Sequence, residues 1–192
     1  MGNTDSHPTL PEEEVTRLSA ATHFTAAEVV QWHRGFMRDC PSGRFTMAQY
    51  QAITKGFFPN GDGENFAKFV FNSLDLEEDA SLNFENFLKY TSMLARGTTQ
   101  EKQRWAFHLR DIDHAGTITK EKMRLVEDSI FRNDANHVPL PEDENTPETR
   151  TQKLFDLMDA DKDGNISLEE FKTALDNDHD IVNALALQNT VQ

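Results

Sequence analysis

Asp159-Ala160-Asp161-Lys162-Asp163-Gly164-Asn165-Ile166-Ser167-Leu168-Glu169-Glu170 places oxygen-bearing residues at positions 1, 3, 5, 7, 9 and 12 of a twelve-residue stretch, with glycine at 6. A hard cation of calcium's size takes about seven oxygens at about 2.3–2.6 Å, and a chain delivers them only by curling around the ion. Asp159, Asp161 and Asp163 would each give one carboxylate oxygen, Asn165 its backbone carbonyl, Ser167 a direct or water-relayed contact, and Glu170 the two oxygens that close the shell. Gly164 makes the sharp turn. Phe155 and Phe171 flank the stretch at helical spacing and Ile166 stands at position 8, which separates this pattern from an acidic surface turn.

Sliding the same template along the chain finds three weaker copies, with the apolar eighth position at Phe45, Leu82, Ile118 and Ile166. The repeat predicts an all-α chain of four EF-hand helix-loop-helix motifs. One such motif cannot bury its apolar face alone, so the four should pair through their eighth-position residues, Phe45 with Leu82 and Ile118 with Ile166. The expected division is an N-terminal lobe over 1–96 and a C-terminal lobe over 97–192, with Gly97 as a hinge. The stretch 132–145, polar and carrying Pro139 and Pro141, reads as a surface linker. Thr25 with Glu28 forms a capping box, flanked by Phe24 and Val29 as a hydrophobic staple. Thr98 with Glu101 repeats the box, and Thr146 precedes Pro147 at a helix start.

The degraded loops are judged by their ligands. In 38–49, Arg38 replaces the leading Asp, Pro41 interrupts and Gln49 closes, so no cation should bind. In 75–86, Asp75, Glu77, Asp79 and Asn83 remain, but Ala80 stands at the turn and Asn86 offers one neutral oxygen in place of a bidentate carboxylate. A non-glycine residue held at positive φ costs on the order of 1–2 kcal/mol. In 111–122, Asp111, Asp113, Gly116 and Thr119 are in place, whereas Ala115 lacks an oxygen and Lys122 brings a positive charge to the closing position. The Lys122 ammonium either lies among Asp111 and Asp113 as a built-in substitute for the ion or points to solvent, and the second is the favoured expectation. One calcium site is therefore expected, at 159–170, with magnesium as a possible competitor.

At this level of detail the chain resembles the neuronal calcium sensor family, whose branches include frequenin, the visinin-like proteins and recoverin. The resemblance rests on Met1-Gly2-Asn3-Thr4-Asp5-Ser6, on Cys40-Pro41-Ser42-Gly43 in a disabled first hand, and on Gly56-Phe57-Phe58-Pro59. Further matches are Arg96-Gly97-Thr98, Glu101-Lys102, Trp105-Ala106-Phe107 and the run Leu140-Pro141-Glu142-Asp143-Glu144-Asn145-Thr146-Pro147-Glu148. It covers nearly the whole chain and is strongest toward frequenin. Family members usually keep working second and third hands, and Ala80, Asn86, Ala115 and Lys122 depart from that pattern.

The resemblance implies myristoylation at Gly2, whose Met-Gly-x-x-x-Ser context fits. It also implies an apolar N-lobe groove that receives an amphipathic helix of an effector such as a kinase, cyclase, exchange factor or channel. Candidate lining residues are Trp32, Phe36, Tyr50, Phe57, Phe66, Phe69 and Phe87, seven of the chain's 14 Phe, two Tyr and two Trp that fall off the core register. Phe71, Leu74, Phe107 and Phe155 are expected inside. The amphipathic segment 181–187 could fill the groove when no target is present. A single acyl chain binds membranes marginally, and the net charge of −14 repels anionic lipid, so membrane contact should be peripheral and transient.

Cys40 is the sole cysteine, which fits a reducing, cytoplasmic setting. No nucleophile elbow, phosphate loop or zinc cluster is present, and the acidic balance disfavours nucleic acid, so neither an enzyme nor a nucleic-acid binder is expected. Three readings stay open: a sensor switched by one calcium site; a constitutive adaptor or channel accessory subunit whose single site is structural; and simple calcium buffering, which one site in 192 residues disfavours.

Overall fold

This computed structural model of the chain describes residues 9–57, 63–74, 81–133 and 146–177. Its helices are α1 (Glu12–Ala20), α2 (Ala26–Asp39), α3 (Met47–Phe57), α4 (Gly63–Asn72), α5 (Phe84–Arg96), α6 (Thr99–Arg110), α7 (Lys120–Asn133), α8 (Pro147–Met158) and α9 (Leu168–Asn177). Short strands β1 (Phe45–Thr46), β2 (Ser81–Leu82), β3 (Thr117–Thr119) and β4 (Asn165–Ser167) stand at the expected eighth positions. The fold is all-α, built of EF-hands. Both strand pairs are antiparallel, with Phe45 opposite Leu82 and Ile118 opposite Ile166, the predicted register.

Helix starts follow local chemistry. The Thr25 hydroxyl accepts from the Glu28 N–H at 3.4 Å while Glu28 Oε2 accepts from the Thr25 N–H at 2.8 Å, completing the box. Phe24 and Val29, the staple, are both buried in one cluster with Val15, Leu18 and Leu88. Thr146 caps α8, with Thr149 as its reciprocal partner and Pro147 in the first turn. Gly97 caps the end of α5 at a place where only glycine fits, because a Cβ there would lie 2.3 Å from the Met93 carbonyl oxygen.

Packing divides the described residues into two units, those within 1–46 and 75–98, and those within 47–74 and 99–192. A single cut after residue 96 would have put α3 and α4 with the N-terminal hands. Instead α3 packs on α4, and α4 packs on α6 and α7. Hydrogen bonds explain the attachment: the Asn72 side chain donates to the Ile112 carbonyl at 2.7 Å, and Trp105 Nε1 donates to Ser73 Oγ at 3.1 Å.

In the first unit, Arg96 grips Glu28 at 2.5 Å and lies 4.9 Å from the Phe24 ring centre, which ties α5 to α2. Arg96 first, then the Thr25 backbone and hydroxyl, hold the Glu28 carboxyl at about 2. In the second unit, Phe107, Ile118, Met123, Leu154, Phe155, Met158, Ile166 and Phe171 form one buried core. Phe71 is fully buried too, while Leu74 is half-buried. An ion network runs under this core. Arg110 Nε donates to Glu127 Oε1 at 3.1 Å and its Nη1 donates to the Ala106 carbonyl, both side chains being 1% exposed. Arg150 Nε stands 3.2 Å from the other Glu127 oxygen, close enough for charge attraction but outside hydrogen-bond geometry. Glu127 thus bridges α6, α7 and α8.

Candidate metal centre

Asp159 ends α8 with its N–H still donating to the Phe155 carbonyl at 2.9 Å, so the first ligand position is set by a helix terminus. The chain then curls through two residues at positive φ, Lys162 at 61° and Gly164 at 86°. Amides inside the curl orient the carboxylates. The Gly164 N–H donates to Asp159 Oδ2 at 3.1 Å, the Asp163 N–H to Asp161 Oδ1 at 3.1 Å, and the Asn165 N–H to Asp163 Oδ1 at 2.7 Å.

Glu170 folds back from α9. Its Oε2 accepts from the Ser167 N–H at 2.9 Å and the Ser167 hydroxyl at 2.7 Å, while Oε1 accepts from the Ala160 and Asp161 amides. The Ser167 backbone and hydroxyl are the main reason its carboxyl lies below the usual range, so the group is an anion at neutral pH. Ser167 Oγ in turn accepts from the Glu170 N–H, a capping box at the start of α9.

Ligand oxygens of Asp159, Asp161 and Glu170 all lie within 4.8 Å of one another. Asp159 Oδ1 is buried and has no hydrogen-bond donor. An unmatched buried carboxylate oxygen is costly, and among converging carboxylates a cation is the group that satisfies it. The donor set, all oxygen, fits a hard cation such as Ca2+ or Mg2+. Of the six sequence candidates, the structure draws together Asp159, Asp161 and Glu170. Asp163 is exposed on the loop, Asn165 lies in the ladder opposite Thr119, and Ser167 acts through Glu170.

The third loop repeats the curl, with His114 at φ 55° and Gly116 at φ 80°. Here the expectation that Lys122 points to solvent is overturned. Its ammonium donates to the Thr117 carbonyl at 2.7 Å, lies 3.3 Å from Asp111 Oδ1, and pairs with Asp113. Burial alone would push the Lys122 pKa down, but its bonds to Asp113 and Asp111 together raise it above the ordinary value. The Asp113 carboxyl is held low chiefly by Lys122. Sequence reasoning did not find the Thr117 carbonyl, although its place at position 7 was the available signal.

Neither of the first two loops forms a comparable cluster among the described residues. Arg38 pairs with its neighbour Asp39, and Gly43 at φ 72° keeps the turn without the ligands. Residues 75–80 lie outside the described residues, as do Gly2, 134–145 and 181–187. Asn83 is spent as the N-cap of α5, accepting from the Asn86 N–H at 2.9 Å.

A family model described as an EF-hand domain pair matches residues 100–176. Over 183 residues, 95% of this chain, the sequence is 43% identical to neuronal calcium sensor 1 of Lymnaea stagnalis, of which 96% is covered. The same identity and coverage hold for neuronal calcium sensor 1 of Aplysia californica. This chain belongs to the neuronal calcium sensor family. S-modulin of Aquarana catesbeiana is also similar, at 37% identity over 89% of this chain and 85% of its own. Membership establishes an EF-hand, calcium-binding type of protein.

In this family member the candidate groove aromatics fall in two units. Trp32, 37% exposed, packs 5.7 Å from Phe24 and 6.0 Å from Phe87, and Phe36 lies buried against Phe84 and Phe87. Leu10, Phe24, Val30, Trp32, Arg34 and Arg96 line a cleft of about 1050 Å³ in the first unit. Tyr50 lies 5.5 Å from Phe71 with the two rings tilted, in the second unit, where Phe66 and Phe69 are half-buried on α4. The side chain of Phe57 lies outside the described residues. No described helix is long and apolar enough to cross a membrane.

Proposed function

We propose that this chain is a calcium-binding regulatory protein whose metal input is the loop 159–170 alone, held by Asp159, Asp161, Asp163, the Asn165 carbonyl, Ser167 and Glu170. The observation that carries the reading is the buried, unpartnered Asp159 Oδ1 beside the Asp161 and Glu170 carboxylates. The bound cation would supply the charge that these carboxylates lack, and Glu170, already fixed by Ser167, would close the shell. Its output is docking of an amphipathic helix from an effector on aromatics including Trp32, with Phe24 and Phe87 beside it. Support for this comes from Trp32 and Phe24, which line a cleft shared with Glu28, Arg34, Arg38 and Arg96, and from relatives named as calcium sensors. Myristate at Gly2 would add peripheral and reversible membrane contact from the cytoplasmic side, a reading supported by the Met1-Gly2 to Ser6 pattern.

A second reading, a constitutive adaptor with a structural Ca2+ or Mg2+ site, is favoured by one observation: Lys122 already occupies the third loop. Calcium titration by calorimetry in millimolar Mg2+, on wild type and Glu170→Gln, with a hydrophobic dye present, separates the two. One micromolar site coupled to dye binding and lost in the variant supports the sensor. One site without dye response, or filled by magnesium, supports the adaptor, and two or three sites contradict the single-input reading.

A further inference from the structure

The third and fourth hands differ at one atom that decides their need for a cation. In both, one carboxylate oxygen of the leading Asp accepts from the turn glycine: Gly116 to Asp111 Oδ2 at 2.8 Å, Gly164 to Asp159 Oδ2 at 3.1 Å. The other oxygen is unpartnered in Asp159. In Asp111 it accepts from the Ala115 N–H at 3.1 Å and lies 3.3 Å from the Lys122 ammonium. That ammonium also meets Asp113 and the Thr117 carbonyl, so it touches positions 1, 3 and 7, three of the places where a loop of this kind presents oxygens to a metal. The Lys122 N–H is held in turn by the Thr119 hydroxyl at 3.2 Å.

Strand β3 begins at Thr117, the residue whose carbonyl Lys122 holds, and pairs with β4 through Thr117–Ser167, Ile118–Ile166 and Thr119–Asn165. Ser167 and Asn165 belong to the fourth loop, and Ser167 orients Glu170. We propose that Lys122 is a tethered cation that keeps the third hand in a loaded conformation at all times and thereby pre-organises the fourth loop for Ca2+. Lys122 is a positioning residue for a site to which it contributes no ligand. A partner hand that is always loaded removes the cost of ordering the ladder at each binding event and also removes cooperativity, leaving a graded, single-ion response.

The inference rests on calcium binding at 159–170, and the test separates the two. Full-length wild type, Lys122→Met and Lys122→Glu are compared by thermal melting in EGTA and by calorimetry with CaCl2. The melting temperature in EGTA is expected to fall by about 2–4 °C in both variants. Lys122→Met should weaken the single site about tenfold. Lys122→Glu restores a carboxylate at position 12, so it should gain a second binding heat and recover melting temperature when calcium is added, which keeps the test informative if Lys122→Met is poorly folded. A wild type that takes up no calcium would sink the reading of the fourth loop and this inference with it. Undiminished affinity in Lys122→Met would overturn the inference alone, as would unchanged melting in EGTA.

Discussion

The third and fourth loops share a curl, a turn glycine, a capping residue at position 9 and an antiparallel ladder, yet position 12 holds a cation in one and an anion in the other. What the pair teaches is that one curl can present its leading carboxylates either to a cation carried by the chain or to one from solution. Lys122 supplies a cation from within, whereas Glu170 supplies none and Asp159 Oδ1 has no hydrogen-bond donor. Under the proposal made above, the same backbone would make a permanent structural element in one hand and a responsive one in the other.

The comparison is broken most severely through Glu127, which joins α7 of the third hand to α8 of the fourth. Glu127→Ala leaves Arg110 and Arg150 buried without their counter-charge, and should cost about 3–5 kcal/mol in urea unfolding. A loss under 1 kcal/mol would mean that the network does not couple the hands. Next is Glu170→Gln, expected to weaken calcium binding about 100-fold, near 2.7 kcal/mol, while melting in EGTA changes little. Equal calcium uptake by the variant would place the ion elsewhere.

A finer probe is the matched pair Gly116→Ala and Gly164→Ala. Neither Cβ would meet an atom within 4 Å, so the penalty is conformational, about 1–2 kcal/mol at each positive φ. Equal losses without metal would show the curls to be energetically alike; a cost at Gly116 only would show that the fourth curl is unformed until calcium arrives. The smallest effect lies outside both loops and serves as a control. Glu28 has a folded pKa of about 2 against an ordinary 4.5, so its stabilisation is present above about pH 4.5 and is lost as pH falls through 2. Glu28→Gln should flatten the melting curve over that window in the first unit without altering calcium affinity.

Much of this was legible in the residues. The eighth-position register, the Thr25 box and the Thr146 cap are local patterns, and each reappears where its chemistry put it. Lys122 was legible as an intruder, and its place among Asp111 and Asp113 as one of two alternatives, but the residues alone favoured solvent, because its reach to the Thr117 carbonyl depends on how β3 leaves the curl. The attachment of α3 and α4 to the later helices was hidden for a similar reason: it turns on single bonds such as Asn72 to Ile112, between residues far apart in the chain. Arg110, Glu127 and Arg150 carry no local pattern in the sequence, because only the packing of α6, α7 and α8 brings them together.

Trp32 and Trp105, the only two tryptophans, stand one in each unit. Trp32 is partly open to water beside two phenylalanines, whereas the Trp105 indole donates to Ser73. The chain thus carries two built-in fluorophores in unlike surroundings, and Trp32→Phe and Trp105→Phe would each leave a single-colour reporter. With one silenced at a time, emission shift and lifetime can say whether calcium arriving at 159–170 is felt only beside Ser73 or also at the aromatic cleft.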